Sequence, residues 1–267
     1  MCIRDSYNAE DTLESQISSI GDAMAHYEYM QWPGVDHLGR NINSPLTLKQ
    51  CSSVGNQLNK KRVLSELYGC SGQNFTFYER KWIGDWHLAL GINFFCPHLY
   101  LYSLRGCRKR DYPPTISHHQ PYWKFNHLIE DYFVRLNYAL SLGKFKANIL
   151  IIHPVESGWT LFISEKIKKL DEFLATLTEK LLEKRFEYEF GNEGIIEKYG
   201  KVDGDKFRIG KGEYEIVIIP YATTLRKKTV ELLEKFKGKI FAYSKFPYLI
   251  EGKLNKKIKE LKNKCIL

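Results

Sequence analysis

The segment KRVLSELYGCSG, residues 61–72, decides how this chain is expected to fold. Val63 and Leu64 form a short apolar run that suits a buried strand, read as Arg62–Ser65. Glu66 stands where that strand should end, and a glycine-containing loop, Tyr68 to Gly72, follows before a long helical pattern. A carboxylate is rarely set at the end of a buried strand without a partner or a task. A structural ion pair with Arg62 or Lys61 is the plain alternative to a functional role.

Upstream, residues 11–30 carry Leu13, Ile17, Ile20 and Met24 at helical spacing. MQWPGVDHLG, residues 30–39, cannot be a regular helix because of Pro33-Gly34, and reads as a short extended segment ending near Asp36. A turn role competes with a functional one for Asp36. Residues 44–59 suit a helix, with Ser44 as N-cap and Pro45 in the first turn. Downstream, Thr76 and Glu79 form a capping box for a helix that Gly91 stops, and INFFCPHLYLY, residues 92–102, is the next buried strand. Residues 30–102 thus read strand, helix, strand, helix, strand, which is βα repetition with parallel strands. A long loop rich in Pro, His and aromatic residues, 106–123, precedes a helix over 127–143. Loops of that length are uncommon and often functional.

At Lys146 the texture changes. ANILIIHP, residues 147–154, is a β-branched strand, and an amphipathic helix follows at about 164–184. Strands are expected at 186–190, within 206–220 and at 238–244, with a helix at 224–237 and a basic helix at the C-terminus. This is a second α/β unit resembling a small doubly wound sheet. HPVESGW, residues 153–159, holds one glycine, so no dinucleotide fingerprint follows the first strand, and there is no Walker sequence. IIPYATTL, residues 218–225, has no cysteine where a nucleophile elbow would need one. The unit looks catalytically empty, although the loop of Glu156, Ser157 and Trp159 is a candidate to reach a neighbouring site.

Composition narrows the function classes. The 267 residues suffice for one large or two ordinary domains, and 43% hydrophobic with 27% charged residues is ordinary for a soluble globular chain. No run approaches the roughly 18–20 apolar residues of a membrane span. The net charge of +9 falls largely on amphipathic helices and on KLNKKIKELKNK, residues 253–264, where solvated helix faces account for it. Cys2, Cys51, Cys70, Cys96, Cys107 and Cys265 show neither a C-x-x-C pair nor zinc spacing, so reduced thiols and a cytoplasmic protein are expected. His118-His119 and Cys96-Pro97-His98 have no carboxylate at ligand spacing, so no metal is expected. G-x-S-x-G and H-E-x-x-H are absent.

The first unit invites a different chemistry. In a (β/α)8 barrel the strand C-termini converge on one mouth, where catalytic side chains stand. Strands ending near Asp36, Glu66 and Asn93–His98 would bring those residues to one cleft. Paired carboxylates at such a mouth suit glycosidic cleavage: one protonates the leaving oxygen, and the other attacks or activates water. Aromatic side chains, Trp123 among them, would face the apolar sides of sugars. Trp82 and Trp86, four apart on one helix, are expected in the core instead.

Residues 21–39, 49–72, 85–103 and 111–123 resemble, in that order, the later barrel strands of α-L-rhamnosidase-like glycoside hydrolases. LSELYG, GIN and PPTISHHQPYW carry the most specific part of the likeness; ILIIHPVESGW and YEIVIIP support the junction to a flavodoxin-like domain, as in that group and in related β-galactosidases. The resemblance implies an α/β protein: a partial (β/α)8 (TIM) barrel over residues 11–145 and a flavodoxin-like, Rossmann-like domain over 146–267. It implies Glu66 as a catalytic carboxylate, with Asp36, Asn93, His98 and the loop of His118, His119 and Trp123 as substrate contacts; the barrel-mouth reading adds Asp36 as the paired catalytic carboxylate, and the loop of the second unit adds Trp159 as a contact. Residues 1–10 read as a non-native or disordered start, and the chain as an N-terminally truncated, inactive piece of an enzyme that cleaves terminal glycosidic bonds. An oligo- or polysaccharide is the expected partner, with no nucleic acid and no membrane. No cofactor is expected, and calcium finds no support in the sequence. The alternative is a non-catalytic carbohydrate- or polyanion-binding module, for which the charge and the 14% aromatic content speak.

Overall fold

The computed structural model describes residues 12–42, 44–106 and 116–266. The expectations on residues 1–10, on Cys107 and on the Tyr112–Pro114 part of the long loop lie outside them. The chain begins with α1 (Leu13–Ser19) and α2 (Ala23–Tyr29). One helix was expected here. Gly21, at φ +80°, breaks it, and Asp22 starts the second helix by accepting from the Ala25 N–H.

Three βα steps follow: β1 (Gly34–Leu38), α3 (Leu46–Gln57), β2 (Leu64–Gly69), α4 (Phe77–Ala89), β3 (Phe94–Pro97) and, after a 3-10 turn at Trp123–Phe125, α5 (His127–Leu142). The Thr76/Glu79 capping box opens α4 as the sequence predicts. The strands form one parallel sheet in the order β1-β2-β3. β2 differs from expectation: it runs through Glu66 to Gly69 rather than ending at Ser65. Leu67 and Tyr68 extend it because they are buried with Phe75, Ile83 and Ile116, and the Tyr68 hydroxyl donates to the Arg80 carbonyl.

The second part holds β4 (Ile149–Ile152), α6 (Val155–Leu161), α7 (Lys166–Glu183), β5 (Tyr188–Gly191), α8 (Glu193–Tyr199), and an antiparallel meander of β6 (Gly200–Asp203), β7 (Lys206–Ile209) and β8 (Gly212–Tyr214). Then come β9 (Ile216–Ile219), β10 (Thr224–Leu225), α9 (Lys227–Lys235), β11 (Lys239–Ala242), β12 (Leu249–Ile250), β13 (Lys253–Leu254) and α10 (Lys257–Lys264). Its central sheet is parallel in the order β11-β9-β4-β5. In strand sequence that is 2-1-3-4, with the order reversing between β4 and β9. A ligand of a doubly wound sheet would sit at that reversal. Here the Ser157 hydroxyl takes the space, accepting from the Thr223 and Thr224 N–H groups and donating to the Thr224 carbonyl.

α3 joins the two sheets. Apart from half-buried Asn56, every residue of it is buried, polar ones included. Val63 packs on Gly55 from one side. On the other side, Ser53 accepts from the Phe190 N–H, Gln57 donates to the Phe190 carbonyl and the Tyr214 hydroxyl, and Asn56 donates to Glu189. Gln50 meets both Gln16 and His153. Buried polar groups persist only when paired in this way. One apolar core therefore runs from Leu13, Val35 and Val54 through Ile151 and Phe190 to Ile240 and Leu261.

A second buried connection fixes the helix layer beside β3. Arg80 is 1% exposed and donates to Asn126 Oδ1 at 2.7 Å and Glu130 Oε1 at 2.5 Å. Arg80→Met leaves both acceptors without their cation. Removing one partner of a buried pair costs about 3–5 kcal/mol. Glu130 is 38% exposed and regains water, so about 3 kcal/mol is expected, read as a lowered urea midpoint at unchanged slope.

Candidate active site

Register brings the two candidate carboxylates together. Asp36 pairs with Glu66, and Glu66 pairs with Cys96, across the three parallel strands. Register partners of adjacent strands lie about 4.8 Å apart and project to one face. The opposite face carries Val35, Ser65 and Leu67, which α3 and α4 bury. Asp36 and Glu66 are half-buried and Cys96 is exposed, so this row opens to solvent on the side away from the helices. Below it lie Leu64 and Phe94; the Phe94 ring meets Trp32 at 5.3 Å and the Arg62 guanidinium at 5.7 Å.

The rim is held by side chains. Arg40, just past β1, donates to the Ser71 carbonyl at 2.6 Å and Glu79 Oε1 at 2.9 Å, and pairs with Asn74. It thereby ties the loop after β1 to the loop after β2. His98, just past β3, donates its backbone N–H to the Leu67 carbonyl at 2.7 Å. Its ring Nδ1 is buried and has no partner among the described residues, which suits a polar group arriving from outside. Tyr100 Oη and His118 Nδ1 lie 3.1 Å apart, and Trp123 stands edge-on to Tyr100 at 5.7 Å between centroids. His119 is engaged with the Ser117 hydroxyl at 2.9 Å.

Two expected contacts lie elsewhere. Asn93 precedes β3, so it stands at the N-terminal end of the sheet, opposite the mouth. Its Oδ1 accepts from the Val63 N–H at 2.9 Å, which is a strand-starting role. Trp159 lies on α6 and donates to the Gly21 carbonyl at 3.3 Å, beside the turn that leads into α2. Trp82 is 44% exposed rather than in the core, while Trp86 packs against His37 and His87. Tyr100 was read from the sequence, with Trp123, as aromatic surface for sugars, and Cys96 was weighed there only as a metal ligand; its place in the row follows from counting register across the strands. Arg40 was not singled out and carries no local signal. Among the described residues no group of three or more His, Cys, Asp or Glu could hold a metal ion, and no helix is long and apolar enough to cross a membrane.

Neither a family model nor a curated protein matches the chain. Solved structures do. Rhamnosidase from Novosphingobium sp. PP1Y is 13% identical with a TM-score of 0.62, over 90% of this chain and 23% of that one. The β-galactosidase from Bacillus circulans sp. alkalophilus is 14% identical with a TM-score of 0.61, over 86% and 35%. That from Rahnella sp. R3 is 14% identical with a TM-score of 0.53, over 87% and 36%. The chain has a glycoside-hydrolase-like fold. It spans from just under a quarter to a little over a third of the length of these glycosidases, and the likeness runs across both sheets.

Proposed function

We propose that this chain is part of a glycoside hydrolase that cleaves terminal glycosidic bonds, with Glu66 as a catalytic carboxylate and Asp36 beside it. The observation that carries the reading is the in-register row Asp36–Glu66–Cys96, on the helix-free face of a parallel sheet, in a fold shared with glycosidases. The three strands correspond to part of a (β/α)8 barrel, and the 2-1-3-4 sheet to a flavodoxin-like domain. His98 then offers a hydrogen bond to a sugar hydroxyl, and the loop bearing His118, His119 and Trp123 borders the pocket. Strand spacing sets the two carboxylates side by side, which suits charge stabilisation or proton transfer at one anomeric centre.

A glycosidase barrel has eight strands and three are described here, so turnover is expected of the intact protein and not of this span alone. The test is an assay of the intact protein on nitrophenyl glycosides of galactose, rhamnose, glucose and arabinose in both anomers. Hydrolysis of at least one is expected, and none by the isolated span. An intact, folded protein inert on the whole panel removes the glycosidase reading.

A further inference from the structure

The charge of the chain is not spread evenly. Residues 226–264 hold thirteen of the forty Lys and Arg but four of the thirty-one Asp and Glu, a surplus equal to the whole net charge of +9, so the rest of the chain balances. Three of the thirteen are engaged. Arg226 pairs with Glu156 and Glu197, Lys264 donates to the Leu233 and Glu234 carbonyls at the end of α9, and Lys245 lies over the Tyr221 and Tyr248 rings. The other ten are lysines with no ion pair among the described residues, and all but Lys228 are exposed. A solvated helix face ordinarily mixes both signs, whereas unmatched cations repel one another and favour an anionic partner. The fold holds them on a firm surface. α10 buries Ile258 and Leu261 in the core, so Lys256, Lys259 and Lys262, three residues apart, share one exposed side at about 4.5 Å of rise each. Lys264 ties that helix to α9 beside Lys235 and Lys237, and Ile266 pairs with β11. β11 is the edge of its sheet farthest from β5, on which α3 packs, so this surface lies on the side away from the first sheet.

We propose that the α10 surface, centred on Lys256, Lys259 and Lys262, docks the carboxylate-bearing backbone of an acidic polysaccharide, a uronate polymer. This rests on the glycosidase reading above and adds to it a second point of contact, remote from Asp36 and Glu66. Three observations select the occupant. First, the free cations are lysines, each a point charge that meets a single carboxylate, and the one arginine of the segment is already forked between two glutamates, so the planar forks that grip phosphate are not on offer there. Their spacing is also sparser than the one charge per about 1.7 Å of a DNA duplex. Second, the segment carries one exposed ring, Tyr248, with Lys245 over it at 5.1 Å, whereas a single-stranded nucleic acid wants a series of rings on which successive bases stack. Third, binding in a membrane surface takes a whole apolar face. That of α10 is turned inward, which leaves Leu254, 84% exposed, and Ile266, 49% exposed, as the apolar surface beside the lysines.

The experiment is calorimetric binding of the intact protein to polygalacturonate, against neutral galactan, a short DNA duplex and vesicles of phosphatidylserine and phosphatidylcholine in equal parts. Polygalacturonate is expected to bind and galactan is not, with an affinity that falls about thirtyfold between about 50 and 200 mM salt, as for three released counterions. Lys256→Glu/Lys259→Glu/Lys262→Glu is expected to weaken that binding about a hundredfold at the lower salt, with the fold retained by circular dichroism. The neutral Lys256→Gln/Lys259→Gln/Lys262→Gln variant is expected to weaken it about tenfold and keeps the test decisive should charge reversal unfold the chain. No binding of polygalacturonate, or equal affinity in wild type and variants, overturns the docking surface and leaves the glycosidase reading intact. Tighter binding of the duplex or of the vesicles, lost in the variants, assigns the surface to phosphate and overturns the polysaccharide. Binding of polygalacturonate through these lysines by a protein inert on every nitrophenyl glycoside removes the glycosidase reading alone.

Discussion

On the glycosidase proposal, Glu66→Gln in the intact protein is expected to lower kcat by about a thousandfold, while the affinity for the product sugar stays within about threefold. The amide keeps the size and one acceptor of the carboxylate but can neither carry the charge nor shuttle a proton, a role worth about 10²–10⁴-fold for general acid–base catalysis. Glu66 is half-buried and its backbone is held by both neighbouring strands, so the exchange leaves the sheet in place. Steady-state kinetics on a nitrophenyl glycoside, with calorimetric binding of the free sugar, read the two quantities separately. Comparable kcat in the variant would take Glu66 out of the chemistry. Asp36→Asn, made in parallel, tells whether the neighbour shares the work or only shapes the site.

The second large effect is on stability in acid. His87 and His153 are buried as neutral rings. Burial holds His87 down at about 3, reinforced by nearby His37 and opposed by its bond to the Ile83 carbonyl. Burial holds His153 down at about 4, opposed by Asp22. Both folded-state values lie below 6.5, the unfolded value, so the unfolded chain binds more protons between these limits. Stability from these groups is full above about pH 6.5 and falls as the pH drops toward their folded values. For His153 alone the loss is on the order of 3 kcal/mol by pH 4. Glu156, Glu189 and Glu193 act in the opposite sense: burial raises each, so they favour folding at low pH and withdraw that support as the pH rises. His153→Gln keeps an amide opposite Gln50 and removes the titration. Urea denaturation between pH 7 and 4 should show a shallower acid loss in this variant than in the wild type; parallel curves would contradict the assignment.

How far the fold could be read from residues follows the range of the forces involved. The capping box at Thr76 and Glu79 is local, and α4 was predicted to start where it does. The βα alternation of residues 30–102 was legible because each short apolar run ends in polar residues and an irregular loop before a helical pattern. The length of β2 was not: Leu67 and Tyr68 are held by Ile116, almost fifty residues away, so the strand continues past the point where local pattern ends it. Asn93 was assigned to the wrong end of its strand because INFFCPHLY does not say which of its residues starts the ladder, and the ladder starts at Phe94. α6 and α8, seven residues each, are too short to show a periodic stripe. In α3, Gln50, Ser53 and Gln57 are polar and give no sequence signal of burial, yet they face a second sheet. Of the candidate site, the two carboxylates were visible as strand-end acids and Tyr100 as an aromatic near the next strand end, whereas Arg40 acts through partners brought in by the fold.

That doubly covered helix also governs how this chain can be cut and inherited. Severing the polypeptide near residue 146 would strip amide and hydroxyl groups of α3 from their acceptors and donors on β5 and β8, and would bare apolar surface on both pieces. The two sheets are welded along a shared wall, so recombination that exchanges one must carry the matching surface of the other.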